Sequence, residues 1–292
     1  MRVMRRKLVS FAGSKLSIEY SGPRAAALVD YLYGRVPPGP GDGVVDKGAS
    51  PLVYRLADDG RRLTLCRGET LLFDGLLATQ SEANLADALL GDSCHHLAKE
   101  SRGGLLFHAA ALVDRARGRG LLFPGAIGAG KTTLAAWLAL QGLTYLTDEL
   151  VFVPEGADEM HAFPRPLNLK SSAEPALSPY FDFEAHEAAI LRGPGASLIP
   201  PASLGSHDVV SRSGVGLLIF PRYVPNSDLV WQALSKAQAG LALMECLVNA
   251  RNLPGHGFAE IARLARATPA YRLCYGGFDQ LEDRLEMLLD GL

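Results

Sequence analysis

LLFPGAIGAGKTTLAAW, residues Leu121–Trp137, decides how this chain is read. Its centre, Gly125-Ala126-Ile127-Gly128-Ala129-Gly130-Lys131-Thr132, fits G-x-x-x-x-G-K-[ST]. The apolar GLLF before it reads as a buried strand. The apolar run from Thr132 to Leu140 reads as a helix that stops at Gly142. Between a strand and a helix this pattern cradles nucleotide phosphates. Gly125 and Gly130 let the backbone turn its N–H groups inward, where side chains would obstruct an anion. Lys131 brings a point charge to the β- and γ-phosphates, and Thr132, followed by Thr133, brings a hydroxyl for Mg²⁺. The helix points the positive end of its dipole at the same phosphates. A glycine-rich turn with a chance Lys-Thr would lack both apolar flanks.

Phosphoryl transfer also needs a group that holds metal or activates the nucleophile. LTYLTDELVFV reads as two short strands broken at Thr147-Asp148-Glu149, and it follows the loop after only one helix. If the strand before the loop and the strand after the helix are parallel neighbours, the acids return beside the phosphate loop. Asp148 then suits a general base and Glu149 a metal-binding group; the alternative is a polar turn between strands. His108 lies in the apolar strand LLFHAAALV, where a histidine is either a satisfied core residue or one that faces the phosphates. Arg165, between Pro164 and Pro166 in a stiff segment ending at Lys170, and Arg222, after Pro221, are candidate phosphate or substrate clamps, or else surface cations. No Asn-Lys-x-Asp guanine reader and no ABC-type signature occurs.

The rest of the chain sets bounds. Its 292 residues, 48% hydrophobic and 21% charged, suit one large α/β domain or two smaller ones. A net charge of -2 argues against nucleic acid as the main partner, because a phosphate backbone needs a basic face. The four cysteines are scattered without a C-x-x-C, which speaks for reduced thiols and a cytoplasmic protein. No apolar run reaches the roughly 18 residues of a membrane span, and MRVMRRKLVSFAG is too briefly apolar for a signal peptide. Residues 1–80 read as short strands and turns: KLSIEY alternates, and PLVYRLADDGRRLTLCRGETLLFDGLL reads as two hairpins in series. GRVPPGPGDG is a Pro/Gly loop, and SEANLADALLGDSCHHLAKE is helical with Ser81 as candidate N-cap. Beyond the phosphate loop, VGLLIFPRY reads as a buried strand, and KAQAGLALMECLVNA, FAEIARLARAT and DQLEDRLEMLLDGL as three helices. The expected division is a β-rich region with a helix over 1–100 and a phosphate-loop domain over 101–292.

His108, the phosphate loop and Asp148-Glu149, in that order, resemble the kinase domain of bacterial HPr kinase/phosphorylase. The match spans roughly residues 104–153. The resemblance implies an α/β kinase core related to phosphoenolpyruvate carboxykinase, using ATP and Mg²⁺. It implies that Asp148 deprotonates an acceptor serine and that His108 lies near the transferred phosphate. Thr132 would ligate the metal, with Glu149 in place of the family's second Asp. The family's Glu-x-Arg-Gly-x-Gly loop, tied to phosphorylase activity, survives only as ILRGPG, with Ile190 in the Glu position. A kinase with little phosphorylase activity is therefore expected. FPRPLNLK and LLIFPRY look like divergent HPr-kinase-related proteins, some of which accompany peptide maturation, including lasso-peptide clusters.

The expectation is thus an ATP-dependent kinase for a serine hydroxyl of a peptide or small protein, recruited through the N-terminal region, and by family analogy a homo-oligomer. Two alternatives remain open: an ATP-binding regulator without transfer activity, and a small-molecule kinase.

Overall fold

The computed structural model describes residues 4–37, 51–76, 81–208 and 210–290. The architecture is mixed α/β, with three sheets and helices packed on their faces. Most of the GRVPPGPGDG loop, and the side chain of Ser81, lie outside what is described.

A five-stranded sheet is formed by β1 (Arg5–Phe11), β2 (Ser14–Ser21), β3 (Leu52–Asp58), β4 (Arg62–Arg67) and β5 (Thr70–Leu76), in that order. The two hairpins in series are present as the antiparallel β3–β4–β5 meander, and Leu16 and Ile18 of KLSIEY are fully buried. The strands-and-turns reading of residues 1–80 misses a helix, α1 (Pro23–Tyr33). Pro23 presets its first turn, and the buried Asp58 accepts the Arg24 N–H, so capping comes from a distant strand rather than a local side chain. Helix α2 (Ser81–Lys99) covers the same core. That core also takes in Leu106, Leu150, Phe152 and Phe163 from later in the chain.

The eight-stranded sheet holds the phosphate-loop region. In chain order its strands are β6 (Gly104–Asp114), β7 (Arg119–Pro124), then β8 (Thr144–Thr147) and β9 (Leu150–Pro154) after helix α3 (Lys131–Leu140). β10 (Glu159–Ala162), β14 (Arg212–Tyr223), β15 (Val230–Ala233) and β16 (Ala270–Tyr275) complete it. A separate three-stranded sheet contains β11 (Leu167–Lys170), β12 (Leu191–Arg192) and β13 (Ala196–Ile199). Helix α4 (Glu174–Leu177) follows β11. The first residues of β14 pair with β10, so the sheet curls at that end.

One expectation about topology is corrected here. The strands before and after α3 are parallel but are not neighbours: β6 lies between them, antiparallel to both. Apolar strands buried on both faces accept this mixed order, because buried backbone groups need ladder partners whichever way the neighbouring strand runs. Helix α3 packs on one face in a core with Ala110, Leu112, Leu217, Ile219 and Leu273. Helices α5 (Lys236–Cys246) and α6 (Phe258–Ala267) cover the other, over Phe107, Ala109, Ala111, Leu122 and Leu218. A capping box between Ser235 and Gln238 starts α5. The expected single C-terminal helix is two short ones, α7 (Asp279–Glu282) and α8 (Leu285–Asp290). Among the described residues, no helix is long and apolar enough to cross a membrane.

Candidate functional site

The loop between β7 and α3 is open at its tip. Ala126, Ile127 and Gly128 are exposed, and Ile127 stands 82% open at the tip. Gly128 and Gly130 adopt φ of 85° and 90°. Gly125, expected to turn the backbone in the same way, does not have a positive φ; its smallness is used for space, since a Cβ there would meet the Ala129 Cβ at 3.3 Å and the Lys131 side chain at 3.5 Å. Gly130 is the N-cap of α3 and offers no side-chain cap, so the first-turn N–H groups face the loop without an internal acceptor. The Lys131 ammonium is held over the loop, donating to the carbonyls of Gly125 (2.7 Å) and Ala126 (3.0 Å). Burial lowers its proton affinity, an effect opposed by Cys246, Glu149 and Asp148 nearby. Thr132 and Thr133 are half-buried in the first helical turn.

The acids reach this loop by an unexpected route. β8 and β9 run in the same direction along one edge of β6, as a single strand interrupted at Asp148-Glu149. Opposite the interruption the Ala109 N–H donates to the Glu149 carbonyl at 3.0 Å, and Ala109 in turn pairs with Pro124, the last residue of β7. Glu149, Ala109 and Pro124 therefore stand abreast at the mouth of the phosphate loop. The acids are two strand positions from β7, about 10 Å at the usual spacing.

Both acids share one cation. The Arg165 guanidinium places Nε 3.3 Å from Asp148 Oδ1 and a terminal nitrogen 3.3 Å from Glu149 Oε2. Arg165 and Asp148 are buried, whereas a third of the Glu149 side chain is exposed. Asp148 Oδ1 also accepts the Tyr145 hydroxyl at 3.0 Å, and Oδ2 accepts the backbone N–H of Asn168 at 3.0 Å. Burial alone would lower the proton affinity of Arg165, but Asp148, Cys94 and Glu149 outweigh it and hold the group firmly charged. Tyr145 is pushed up by burial and by Asp148. Arg165, expected as a phosphate or substrate clamp or else a surface cation, is not at the surface: it is a buried counter-ion of both acids, with Cys94 of α2 beside it.

His108 alternates with Ala110 and Leu112, so it lies on the α3 face, half-buried beside the loop. Burial, then Lys131, lowers its proton affinity, while Glu149 and Asp148 oppose the change. Lys170, exposed at the end of β11, acts electrostatically on Lys131 and so belongs to the same neighbourhood. Arg222 is exposed at the end of β14 and shares a face with Leu218 and Phe220, the α5/α6 side, away from α3. Ile190 is buried in the α3 core, so no carboxylate projects from that position.

Loop, helix N-terminus, Thr132 and the partly exposed Glu149 fit Mg·ATP: an uncapped run of N–H donors takes phosphate oxygens, and hydroxyl and carboxylate oxygens suit a hard cation. Among the described residues, no group of three or more His, Cys, Asp or Glu is arranged to hold a metal by itself. The residues missed in the sequence are Tyr145 and the N–H of Asn168, which fix Asp148. For Tyr145 a signal was present, since it alternates with Thr147 before the acids.

No family model matches the chain, and no curated protein matches it. Among solved structures, the Hpr(Ser) kinase/phosphatase from Coxiella burnetii is similar at 15% identity, over 64% of this chain and 94% of that chain, with a TM-score of 0.31. A superposition that loose lends no weight to either fold or chemistry, which rest on the residues themselves.

Proposed function

We propose that the protein is an ATP-dependent kinase that transfers the γ-phosphoryl group to a serine hydroxyl of a peptide or small protein. The observation that carries this reading is the placement of Asp148-Glu149 at the mouth of the phosphate loop, across Ala109 from Pro124. Loop N–H groups and Lys131 would hold the β- and γ-phosphates, with Thr132 and Glu149 on the metal. Bound Mg·ATP supplies the phosphoryl group and a cation that offsets its charge.

Asp148 would take the proton from the hydroxyl. Its Oδ1 is occupied by Tyr145 and Arg165; among the described residues Oδ2 accepts one N–H, and because the side chain is buried, an acceptor hydroxyl reaches its remaining lone pair only where the bound substrate opens the site. Arg165 and Tyr145 fix the direction of that lone pair. His108 stands beside Lys131, where a neutral imidazole can hydrogen-bond a phosphate oxygen or the acceptor. With Ile190 buried in place of a carboxylate, the reverse reaction, phosphate release from a phosphorylated acceptor, is not expected to be efficient.

The test is incubation with Mg·ATP and serine-containing peptides, read by mass spectrometry. Phosphorylated serine that vanishes in Lys131→Ala supports the reading. ATP binding without transfer to any peptide or metabolite would favour a regulator, and transfer only to a metabolite would favour a small-molecule kinase.

A further inference from the structure

The phosphate loop has two unlike sides. On one side, across β6, stand Asp148, Glu149 and His108. On the other, β14 and β16 run parallel to β7 and end at the same edge of the sheet, in Tyr223 and Tyr275. The loop is stitched to this second side: the Tyr223 N–H donates to the Ala129 carbonyl at 3.1 Å. A Cβ on Gly130 would stand 3.0 Å from the Tyr223 Cβ and 2.9 Å from the Tyr275 hydroxyl, so both residues rest against the loop's last glycine.

One feature of this corner is not accounted for by folding. Tyr223 leaves 44% of its surface open, although it ends a strand whose same-face residues Leu217 and Ile219 are buried. Tyr275, 1% exposed, places its hydroxyl beside Gly130, the last glycine of the loop, on the same side as Tyr223. The rings of Tyr223 and Tyr275 lie 5.6 Å apart and tilted by 56°. Behind them Phe278 stacks on Tyr275 at 5.9 Å and on Trp137 at 5.0 Å, so the open ring is backed by a fixed aromatic array.

A nucleoside triphosphate is linear, with its reactive end opposite its base. If the γ-phosphate lies toward the acids, the base must leave the loop on the β14/β16 side, where strand ends of an α/β sheet commonly receive ligands. We infer that Tyr223, backed by Tyr275, is the stacking platform for the base of the bound nucleotide. The inference rests on the nucleotide-binding reading above and extends it to the ligand's other end. An aromatic face suits any purine or pyrimidine, so the platform supplies affinity for a nucleotide over bare phosphates rather than choice among bases.

The experiment compares binding of Mg·ATP and Mg-tripolyphosphate, which lacks base and ribose, to the full chain and to Tyr223→Ala, Tyr223→Phe and Lys131→Ala. Tyr223→Ala is expected to weaken ATP binding about 5- to 100-fold, to leave tripolyphosphate binding unchanged, and to be rescued by Tyr223→Phe. Lys131→Ala is expected to weaken both ligands. Unchanged ATP binding by Tyr223→Ala, with Lys131→Ala impaired, overturns the platform and leaves the nucleotide reading standing. Equal weakening of both ligands by Tyr223→Ala overturns it too, because Tyr223 would then only shape the loop. Failure of the unaltered chain to bind either ligand overturns both readings together.

Discussion

The Arg165 guanidinium lies 3.3 Å from the Asp148 carboxylate, and both side chains are buried, at 4% and 3% exposure. Such a pair gains little over an apolar replacement of the whole, but losing one partner strands a charge without water. Arg165→Met should therefore cost about 3–5 kcal/mol of folding stability, read as a lowered urea midpoint. A loss under about 1 kcal/mol, the value of an exposed pair, would show that the pair is solvated in solution.

His108 makes stability depend on pH. Its folded-state proton affinity is lowered, mainly by burial and then by Lys131. The unfolded chain thus binds a proton more readily, and stability should be complete above about pH 6.5, the ordinary imidazole value. It should fall as the pH drops from there through the lowered value. His108→Gln should flatten that part of a melting-temperature profile; an unchanged slope would assign it to other groups.

Gly130 and Gly128 both hold positive φ, but they differ in surroundings. Around Gly128 nothing lies within 4 Å of an added Cβ, whereas at Gly130 the Tyr275 hydroxyl is 2.9 Å away and the Tyr223 Cβ 3.0 Å. Gly128→Ala should cost only the backbone strain, about 1–2 kcal/mol. Gly130→Ala should cost that plus a clash against the ends of strands β14 and β16, and should impair ATP binding more. Thermal melts and ATP titrations of the two variants check the order, and equal effects would show that the loop relaxes freely.

The motif and its flanking strand and helix were legible because each is local: glycines, a lysine and an apolar period within a short run. The order of the strands was not. That β6 inserts between β7 and β8 depends on pairing between Ala111 and Thr147 and between Ala109 and Pro124, which no local pattern encodes. Helix α1 was hidden for a related reason, since its first turn is capped by Asp58, remote in sequence. Arg165 was visible as an isolated cation between prolines, but its burial against the acids needed the fold. Tyr223 read as the end of a strand, and its exposure beside Gly130 belongs to tertiary structure alone.

The central claim is that the acid pair serves phosphate transfer, with Asp148 accepting the proton and Glu149 assisting the metal. It is tested most directly by phosphate transfer from ATP, to an acceptor hydroxyl or to water, in Asp148→Asn and Glu149→Gln, with Mg·ATP affinity measured beside it. The account predicts that Asp148→Asn lowers kcat by about 10²–10⁴-fold while ATP still binds, and that Glu149→Gln weakens nucleotide binding and raises the Mg²⁺ requirement together. Near-normal kcat in a folded Asp148→Asn protein would make Asp148 a structural partner of Arg165 and contradict the mechanism.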